Sequence, residues 1–228
     1  RLNDDIWDLE IKHPLNFLLL ASKREQEIYS KRCSKPSIVI GSPFYYAKRL
    51  IESQLKEIGK HASGTIAFPL HSTHHVTNYF NHSNFIKYLR DLPEEYHPVH
   101  ICMYWRNIQI GHHRSYLDEG FQCTTAGHIF DKKFLFRLLK IFASHKYFIT
   151  NEFGTSPLYA AAMGLPVSII KQDYKRKCEN PNLVADTPMP PDFSLAGCFN
   201  AAPGEDVAKA QREISEDILG FKSLLQPA

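Results

Sequence analysis

The stretch YFITNEFGTSPLYAAAMGLPVSII, residues Tyr147–Ile170, constrains the fold more than any other part of the chain. Tyr147–Thr150 is short, aromatic and β-branched, which predicts a buried strand, and Pro157–Met163 is rich in alanine, which predicts a helix. Gly164 stands where a helix end needs a left-handed residue, and Val167–Ile170 predicts a second strand. This order predicts a right-handed connection between parallel strands, with ligands bound at the carboxyl ends of the strands.

The same alternation of strand and helix recurs along the chain. Six segments are typical of strands, namely residues 37–41, 64–70, 99–105, 121–127, 147–150 and 167–170. Helical spacing of apolar residues predicts helices over 45–58 and 85–92, one or two helical turns at 114–119, and a helix capped by Asp131 that runs to about Ser144. The chain is therefore predicted to be an α/β protein, with a Rossmann-like parallel sheet of about six strands and helices on both faces.

Three segments are expected along the chain. Residues 1–36 form an N-terminal helical segment, in which Pro14–Arg32 is predicted to be one amphipathic helix. Residues 37–172 form the Rossmann-like domain. Residues 173–228 begin with a stretch of poor periodicity that holds TPMPPD and is predicted to be irregular as far as Gly204, and Glu205–Leu225 is predicted to be a closing helix.

Composition excludes several classes of function. The chain has 228 residues, 43% of them hydrophobic and 22% charged, which is ordinary for a globular protein. A net charge of +3 without a run of five or six like charges does not predict a nucleic-acid partner. No apolar stretch approaches the roughly 20 residues that span a bilayer. The chain lacks an initiator methionine and a secretion signal, so we expect a piece excised from a longer protein.

The cysteines indicate a reducing environment. The chain has five of them, an odd number, and they are scattered without any C-x-x-C pair, namely Cys33, Cys102, Cys123, Cys178 and Cys198. This arrangement predicts neither a disulfide framework nor a zinc knuckle. We therefore expect a cytoplasmic protein.

Polar loops follow four of the predicted strands. Because parallel strands share a carboxyl edge, these loops should converge there. Their polar residues are His71, Ser72, Thr73, His74 and His75 after the second strand, Arg106 and Asn107 after the third, His128 after the fourth, and Asn151, Glu152, Thr155 and Ser156, together with Gly154, after the fifth. Convergence of four polar loops predicts a ligand site.

Each loop also has a simpler interpretation. Three histidines in five residues suggest a metal site, but the spacing is not H-x-x-x-H and no acidic ligand adjoins it, so we predict no metal. At least one of these histidines is expected to be structural. Arg106 neutralises a phosphate or is a solvated surface charge, and His128 lines the site or helps to cap the helix after Asp131.

The loop at residues 151–156 gives the strongest signal. Gly154 lets the backbone approach a ligand, Thr155 and Ser156 offer hydroxyl groups, and the next helix directs its amides and positive dipole end at an anion. The alternative is a plain helix cap by Thr155 or Ser156. The loop matches neither G-x-x-x-x-G-K-[ST] nor G-x-G-x-x-G, and the nucleophile elbow G-x-S-x-G is absent.

A family resemblance lies in three segments, which read GSPFYYAKRL, GTIAFPLHSTHH and GHIFDKKFLFRLLKIFASHKYFITNEFGTSPLYAAAMGLPVSII. They resemble the carboxy-terminal, donor-binding half of bacterial polysaccharide-biosynthesis glycosyltransferases of the GT-B fold, including the sialyltransferase-like and Kdo-transferase-like groups. The resemblance covers roughly residues 37–170. It is strongest at the turn and helix that hold the donor's phosphates in that family, and these correspond here to Gly154, Thr155, Ser156, Gly164, Pro166 and Val167.

The resemblance implies transfer of a sugar from a nucleotide-sugar donor, which is a substrate, to a glycan or lipid-linked acceptor in capsule or lipopolysaccharide synthesis. It implies no metal and no other cofactor. Thr155 and Ser156 would hold phosphate and Glu152 the ribose, while the loop with Ser72 and Thr73 would face the donor.

By the same resemblance, His71 or His74 would transfer a proton. A complete enzyme of this type has two such domains, so a second domain or subunit is also implied, as is peripheral association with the inner face of the cell membrane.

Two other classes of function stay open on the sequence. The chain could be a non-catalytic nucleotide-binding or interaction module, since a fold does not fix a function. It could also be a sugar-nucleotide epimerase, or a hydrolase with a metal at the histidine cluster. Binding without turnover would favour the first, and chelator-sensitive turnover without an acceptor would favour the second.

Overall fold

The structure is a computed structural model that describes residues 11–73, 76–178, 198–199 and 205–225. The strands of the described residues, numbered in chain order, are β1 (Leu18–Leu20), β2 (Ser37–Val39), β3 (Thr65–Phe68), β4 (Val76–Phe80), β5 (Val99–Cys102), β6 (Gln122–Thr124), β7 (Tyr147–Thr150), β8 (Val167–Ile169) and β9 (Tyr174–Cys178). The helices are α1 (Lys23–Ser30), α2 (Pro43–Leu50), α3 (Glu52–Gly59), α4 (His82–Arg90), α5 (Trp105–Gln109), α6 (Arg114–Leu117), α7 (Phe134–Ala143), α8 (Thr155–Ala162) and α9 (Glu205–Ile218).

The centre of the fold is a five-stranded parallel sheet in the order β6-β5-β3-β7-β8. Counted along the chain, these strands lie in the order third, second, first, fourth, fifth, which is the strand order of the Rossmann fold. The prediction of a Rossmann-like α/β protein is confirmed.

Alternate residues of a strand point to opposite sides of the sheet, and both sides are packed against helices. Ile66 and Phe148 belong to the larger apolar cluster, which includes residues of α2, α7, α8 and α9. Their neighbours Ala67 and Ile149 belong to the second cluster, with residues of α4 and α6. The predicted buried face of α7 is also confirmed, since Leu138, Leu139 and Phe142 are buried and Phe134 and Leu135 pack against the same cluster.

The N-terminal region differs from its prediction. The segment Pro14–Arg32 is not one helix, because Leu18–Leu20 is a strand and the helix α1 begins only at Lys23. Ser22 caps α1 by accepting a hydrogen bond from the Glu25 backbone amide at 3.2 Å. Strand β2 does not join the five-stranded sheet either, since it pairs in parallel with β1 in a separate two-stranded sheet.

The helices predicted over 45–58 and from Asp131 differ from those of the structure. The helix expected over 45–58 is two helices, α2 and α3, because Ile51 between them has φ −124° and ψ 22°. The helix expected from Asp131 begins at Phe134. Asp131 instead accepts a hydrogen bond from the Lys133 amide at 2.8 Å and pairs with Arg137 at 2.8 Å, so it stabilises the turn before the helix.

The C-terminal region also departs from its prediction. Residues 174–178 were expected to be irregular, but they form β9, which pairs antiparallel with β4. After Cys178, that segment lies outside the described residues as far as Gly204, apart from residues 198–199. Helix α9 ends at Ile218 rather than Leu225, because Gly220 adopts φ +69° and begins a short 3-10 turn, Phe221–Ser223. Across the described ranges, no helix is long and apolar enough to cross a membrane.

Candidate functional site

The chain leaves β3 and β7 in opposite directions. The connection after β3 leads to α4 on one face of the sheet, and the connection after β7 leads to α8 on the other face. β3 and β7 are neighbours in the sheet, so the order of the strands reverses between them, at a topological switch point. Ligands of open α/β sheets bind at such a switch point.

An ion pair spans this switch point. His71 follows β3, Glu152 follows β7, and His71 Nδ1 lies 2.7 Å from Glu152 Oε2. The His71 backbone amide also donates to the same carboxylate oxygen, at 3.4 Å. The ring of Tyr104, which follows β5, meets the His71 ring edge to face at a centroid distance of 5.5 Å. Three adjacent strands therefore supply the immediate surroundings of His71.

The pair controls the protonation of His71. The charge of the Glu152 carboxylate raises the pKa of His71 above its ordinary value of 6.5, against the opposing effect of desolvation. The His71 side chain is 43% exposed and that of Glu152 only 18%. Because Nδ1 faces the carboxylate, Nε2 is the nitrogen left for a ligand, and it makes no hydrogen bond to any residue that the structure describes.

Two buried asparagines hold the turn that carries His71. Asn107 accepts from the Ser72 amide at 2.8 Å and donates to the Leu70 carbonyl oxygen at 3.4 Å. Asn151 accepts from the Leu70 amide at 2.6 Å. Both asparagines are buried. The backbone on either side of His71 is thus fixed by α5 and by the loop after β7, which stabilises the orientation of the imidazole.

A third buried asparagine, Asn78 of β4, closes the loop that contains His71. Asn78 Nδ2 donates to the His71 carbonyl oxygen at 2.5 Å, and the Asn78 amide donates to Ser72 Oγ at 3.1 Å. Ser72 is fully buried, so its hydroxyl stabilises the loop and does not face a ligand. Thr73 plays a similar part, because its Oγ1 accepts from the Val76 amide at 3.2 Å.

The loop after β7 ends in the N-terminus of α8. Gly154 is the N-cap residue, and no side chain caps this terminus, so the alternative of a cap by Thr155 or Ser156 is wrong. Gly154 has an extended backbone, and a Cβ atom built there would come no closer than 4.0 Å to Glu152 Cγ. The first amides of α8 therefore border an uncrowded surface beside Glu152, which suits an anionic group.

The other candidate residues lie along the same edge without a contact to His71. Arg106 NH1 donates to Gln109 on its own helix at 2.8 Å, and Arg106 Nε is buried without a hydrogen-bond partner among the described residues. The His128 ring lies 4.8 Å from the Trp105 ring, and its Nδ1 accepts from the Phe130 amide at 3.1 Å. His128 does not cap α7, whose N-cap is Lys133.

His74 and His75 lie outside the described residues. Within the part of the chain that is described, no three His, Cys, Asp or Glu side chains stand close enough to share a metal ion.

The sequence pattern indicates Asn107 and Asn151 only as polar loop residues, and it does not indicate Asn78, Tyr104 and Gln172. Gln172, on the connection between β8 and β9, accepts from Asn151 Nδ2 at 2.8 Å. For Tyr104 and Gln172 the available signal was an amide or aromatic side chain soon after a buried strand, where loops meet at the edge of the sheet, whereas Asn78 lies within β4. No periodic pattern marks these positions.

Comparison with known proteins does not assign the chain. No family model matches it, and no curated protein is detectably similar to it in sequence.

Proposed function

We propose that this protein is a glycosyltransferase of surface polysaccharide synthesis, which binds a nucleotide-activated sugar at the switch point between the ends of β3 and β7. The observation that carries the proposal is the ion pair of His71 and Glu152 across the switch point, with its exposed imidazole. The uncapped start of α8 beside Glu152 adds a surface suited to phosphate.

The proposed reaction is a displacement at the anomeric carbon of the donor sugar. An acceptor hydroxyl forms the new C–O bond, the bond to the phosphate oxygen breaks, the hydroxyl proton passes to a base, and the nucleotide leaves with the bonding electron pair. Negative charge grows on the departing phosphate, so positive groups placed there lower the barrier.

The surroundings of His71 favour one role in that reaction. Its pKa is raised by Glu152, so the imidazole is the protonated form at pH values where an ordinary histidine has lost its proton. A protonated ring donates from Nε2 and cannot accept a proton there. We therefore assign His71 to stabilise the leaving phosphate, and Glu152 to orient the ring and hold its charge. Thr155 and Ser156 would bind the phosphate from the other side.

Two surfaces support the wider proposal of an acceptor and a second domain. Ile129 and Phe130 are 57% and 85% exposed on the loop after β6, at the same edge as His71, where they could contact a lipid-linked acceptor or the membrane surface. Leu19 of β1 and Ile38 of β2 are register partners and are 57% and 54% exposed. Parallel sheets are normally covered on both faces, so this small sheet is where a second domain or subunit would pack.

The first experiment is thermal unfolding with CMP, UDP, GDP, TDP and their sugar conjugates. A ligand present at 100 times its dissociation constant adds about 2.7 kcal/mol to the free energy of unfolding. We expect one nucleotide class to raise Tm, and we expect His71→Gln and the double variant Thr155→Ala with Ser156→Ala to reduce the shift. His61→Gln is the matched control, because His61 is exposed and precedes the amino end of β3.

The outcomes separate the classes of function. Stabilisation followed by transfer of labelled sugar to an acceptor extract supports the glycosyltransferase. Stabilisation without transfer or hydrolysis would make the protein a non-catalytic nucleotide-binding module. No shift with any nucleotide would overturn the proposed function.

A further inference from the structure

Arg176, in the middle of β9, is a partly buried cation. Its Nε donates to Asn78 Oδ1 at 3.3 Å, and its guanidinium carbon lies 5.7 Å from the centroid of the Tyr174 ring. Within the described residues, no Asp or Glu forms an ion pair with it. Partial burial of a charge is unfavourable unless an opposite charge or strong hydrogen bonds compensate for it.

Asn78 connects Arg176 to the candidate site. Through Oδ1 this buried side chain accepts from Arg176, and through Nδ2 it donates to the His71 carbonyl oxygen at 2.5 Å. One asparagine side chain therefore separates the guanidinium from the turn that carries His71. Among the residues that the structure describes, neither terminal nitrogen of the guanidinium has a hydrogen-bond partner. Together they form a planar fork that fits a phosphate group.

The alternation of the strand separates Arg176 from its basic neighbours. In the antiparallel ribbon of β4 and β9, Asn78 pairs with Arg176, while Thr77 pairs with Lys177 and Tyr79 pairs with Lys175. Successive side chains of a strand point to opposite faces, so Lys175 and Lys177 face away from Asn78. Both lysines are exposed, whereas Arg176 is partly buried.

A glutamine fixes the ribbon against the edge of the main sheet. Gln172 Oε1 accepts from Asn151 Nδ2 at 2.8 Å, and Gln172 Nε2 donates to the Asn81 carbonyl oxygen, just after β4, at 2.6 Å. Asn151 is itself one of the residues that hold the His71 turn. The position of Arg176 beside the site is thus determined by two independent sets of hydrogen bonds.

We propose that Arg176 binds a phosphate group of the ligand bound at the switch point, and that the ribbon of β4 and β9 is therefore a wall of the site. This inference rests on the proposed function for the identity of the ligand as a nucleotide. Phosphate recognition itself rests on the guanidinium, which Asn78 holds one side chain away from the His71 turn.

The test compares Arg176→Gln with Lys177→Gln, which removes the same charge one residue away on the opposite face of the ribbon. Dissociation constants are measured by calorimetry at one ionic strength for inorganic pyrophosphate and for the nucleotide that raises Tm. We expect Arg176→Gln to weaken both by at least about tenfold, as loss of a charge-assisted hydrogen-bond pair does. Lys177→Gln should change them less than about twofold, as expected for a screened surface charge.

Arg176→Lys keeps the charge but loses the planar fork, so its affinity should lie between those of the wild type and Arg176→Gln. Circular dichroism and Tm of each variant without ligand show whether the fold is retained. Equal weakening by Arg176→Gln and Lys177→Gln would overturn the inference, because only net charge would then matter. So would a full loss of pyrophosphate binding in Arg176→Lys with a lowered Tm, because that result indicates a structural role.

The outcomes also distinguish this inference from the proposed function. If the wild type binds pyrophosphate through Arg176 but binds none of the nucleotides, the anion site stands and the proposed function fails. If a nucleotide binds and Arg176→Gln leaves its dissociation constant unchanged, the proposed function stands and this inference fails. If neither pyrophosphate nor a nucleotide binds, both fail.

Discussion

His71 and His82 lie on either side of β4, and their surroundings shift their pKa values in opposite directions. His71 faces the Glu152 carboxylate, which raises its pKa. His82 lies at the start of α4, where Nδ1 is 3.0 Å from the Tyr116 hydroxyl and the ring contacts that of His112 at 4.9 Å. Burial, together with the nearby His112, lowers the pKa of His82 to about 4.

The chain has 12 histidines, and the difference between these two shows that a histidine is not functional merely because it is present. His82 is neutral at physiological pH and its hydrogen bond goes to a buried tyrosine, so it stabilises the packing of α4 against α6. His71 has a carboxylate partner and a ring that is 43% exposed, and its Nε2 forms no hydrogen bond to a described residue. The neighbouring charge and the exposure of the ring decide which histidine is available for chemistry.

The largest expected effect is a loss of stability when a buried aromatic side chain beside His82 is truncated. Tyr116 is fully buried beside His82, so Tyr116→Ala should lower the free energy of unfolding by about 3–5 kcal/mol, as large-to-small changes of aromatic core residues do. The pKa of His71 should not change. Urea unfolding measures the first quantity and NMR titration of the His71 ring the second. A change in the His71 pKa would show that the regions are coupled.

The pH dependence of stability should differ in sign between the two histidines. The folded pKa of His82 is below the ordinary 6.5, so the unfolded chain binds the proton first and stability is lost as pH falls from 6.5 toward about 4. Relative to His82→Gln, the wild type should lose up to about 1.4 kcal/mol per pH unit in that range.

For His71 the folded pKa is raised, so its contribution is complete below 6.5 and is lost as pH rises through the folded value. Urea unfolding at a series of pH values measures both slopes, with the variants His82→Gln and His71→Gln as references. If the free energy of unfolding had the same slope against pH in the wild type and in His82→Gln below pH 6.5, the lowered pKa of His82 would be contradicted.

A smaller effect is expected at the residue that contacts both regions. Asn107 holds the Ser72 amide and the Leu70 carbonyl, and its Nδ2 lies 3.2 Å from His112 Nδ1. Asn107→Leu leaves these buried groups without a partner and should cost about 1–3 kcal/mol of stability. Asn84→Leu is the control, because Asn84 is exposed on α4 and its change should stay within about 0.5 kcal/mol. Chemical denaturation of both variants decides whether the Asn107 contacts stabilise the turn.

The smallest effect on stability is expected at the ion pair itself. Glu152→Gln removes the charge that raises the pKa of His71, so that pKa should fall, while the free energy of unfolding changes by less than about 1 kcal/mol because the imidazole is half-exposed. NMR titration of His71 checks this. Glu119→Gln, which alters an exposed pair with Arg90, should leave the titration unchanged. An unaltered His71 pKa in Glu152→Gln would show that the charge of Glu152 does not raise it, so the two histidines would no longer differ in this respect.

Local sequence patterns predicted most of the central sheet. The five strands of the sheet all lie within segments whose apolar and β-branched residues indicate strands, and Gly164 ends α8 with φ +93°, as its position predicts. These features depend on neighbours in the chain, since side-chain periodicity and backbone freedom act over a few residues. The same patterns could not assign β2 to its partner, and they did not show β9, whose residues YKRKC have no apolar alternation.

The sequence by itself determined the fold class, the loops that carry polar residues and the edge of the sheet where those loops end. Only the tertiary structure decided which of these residues meet. His71 and Glu152 are 81 residues apart in the chain, and Asn78 and Arg176 are 98 residues apart. Their contacts follow from the strand order, which places β7 beside β3, and from the pairing of β9 with β4. Strand order is fixed by burial of the whole sheet, so no local pattern encodes it.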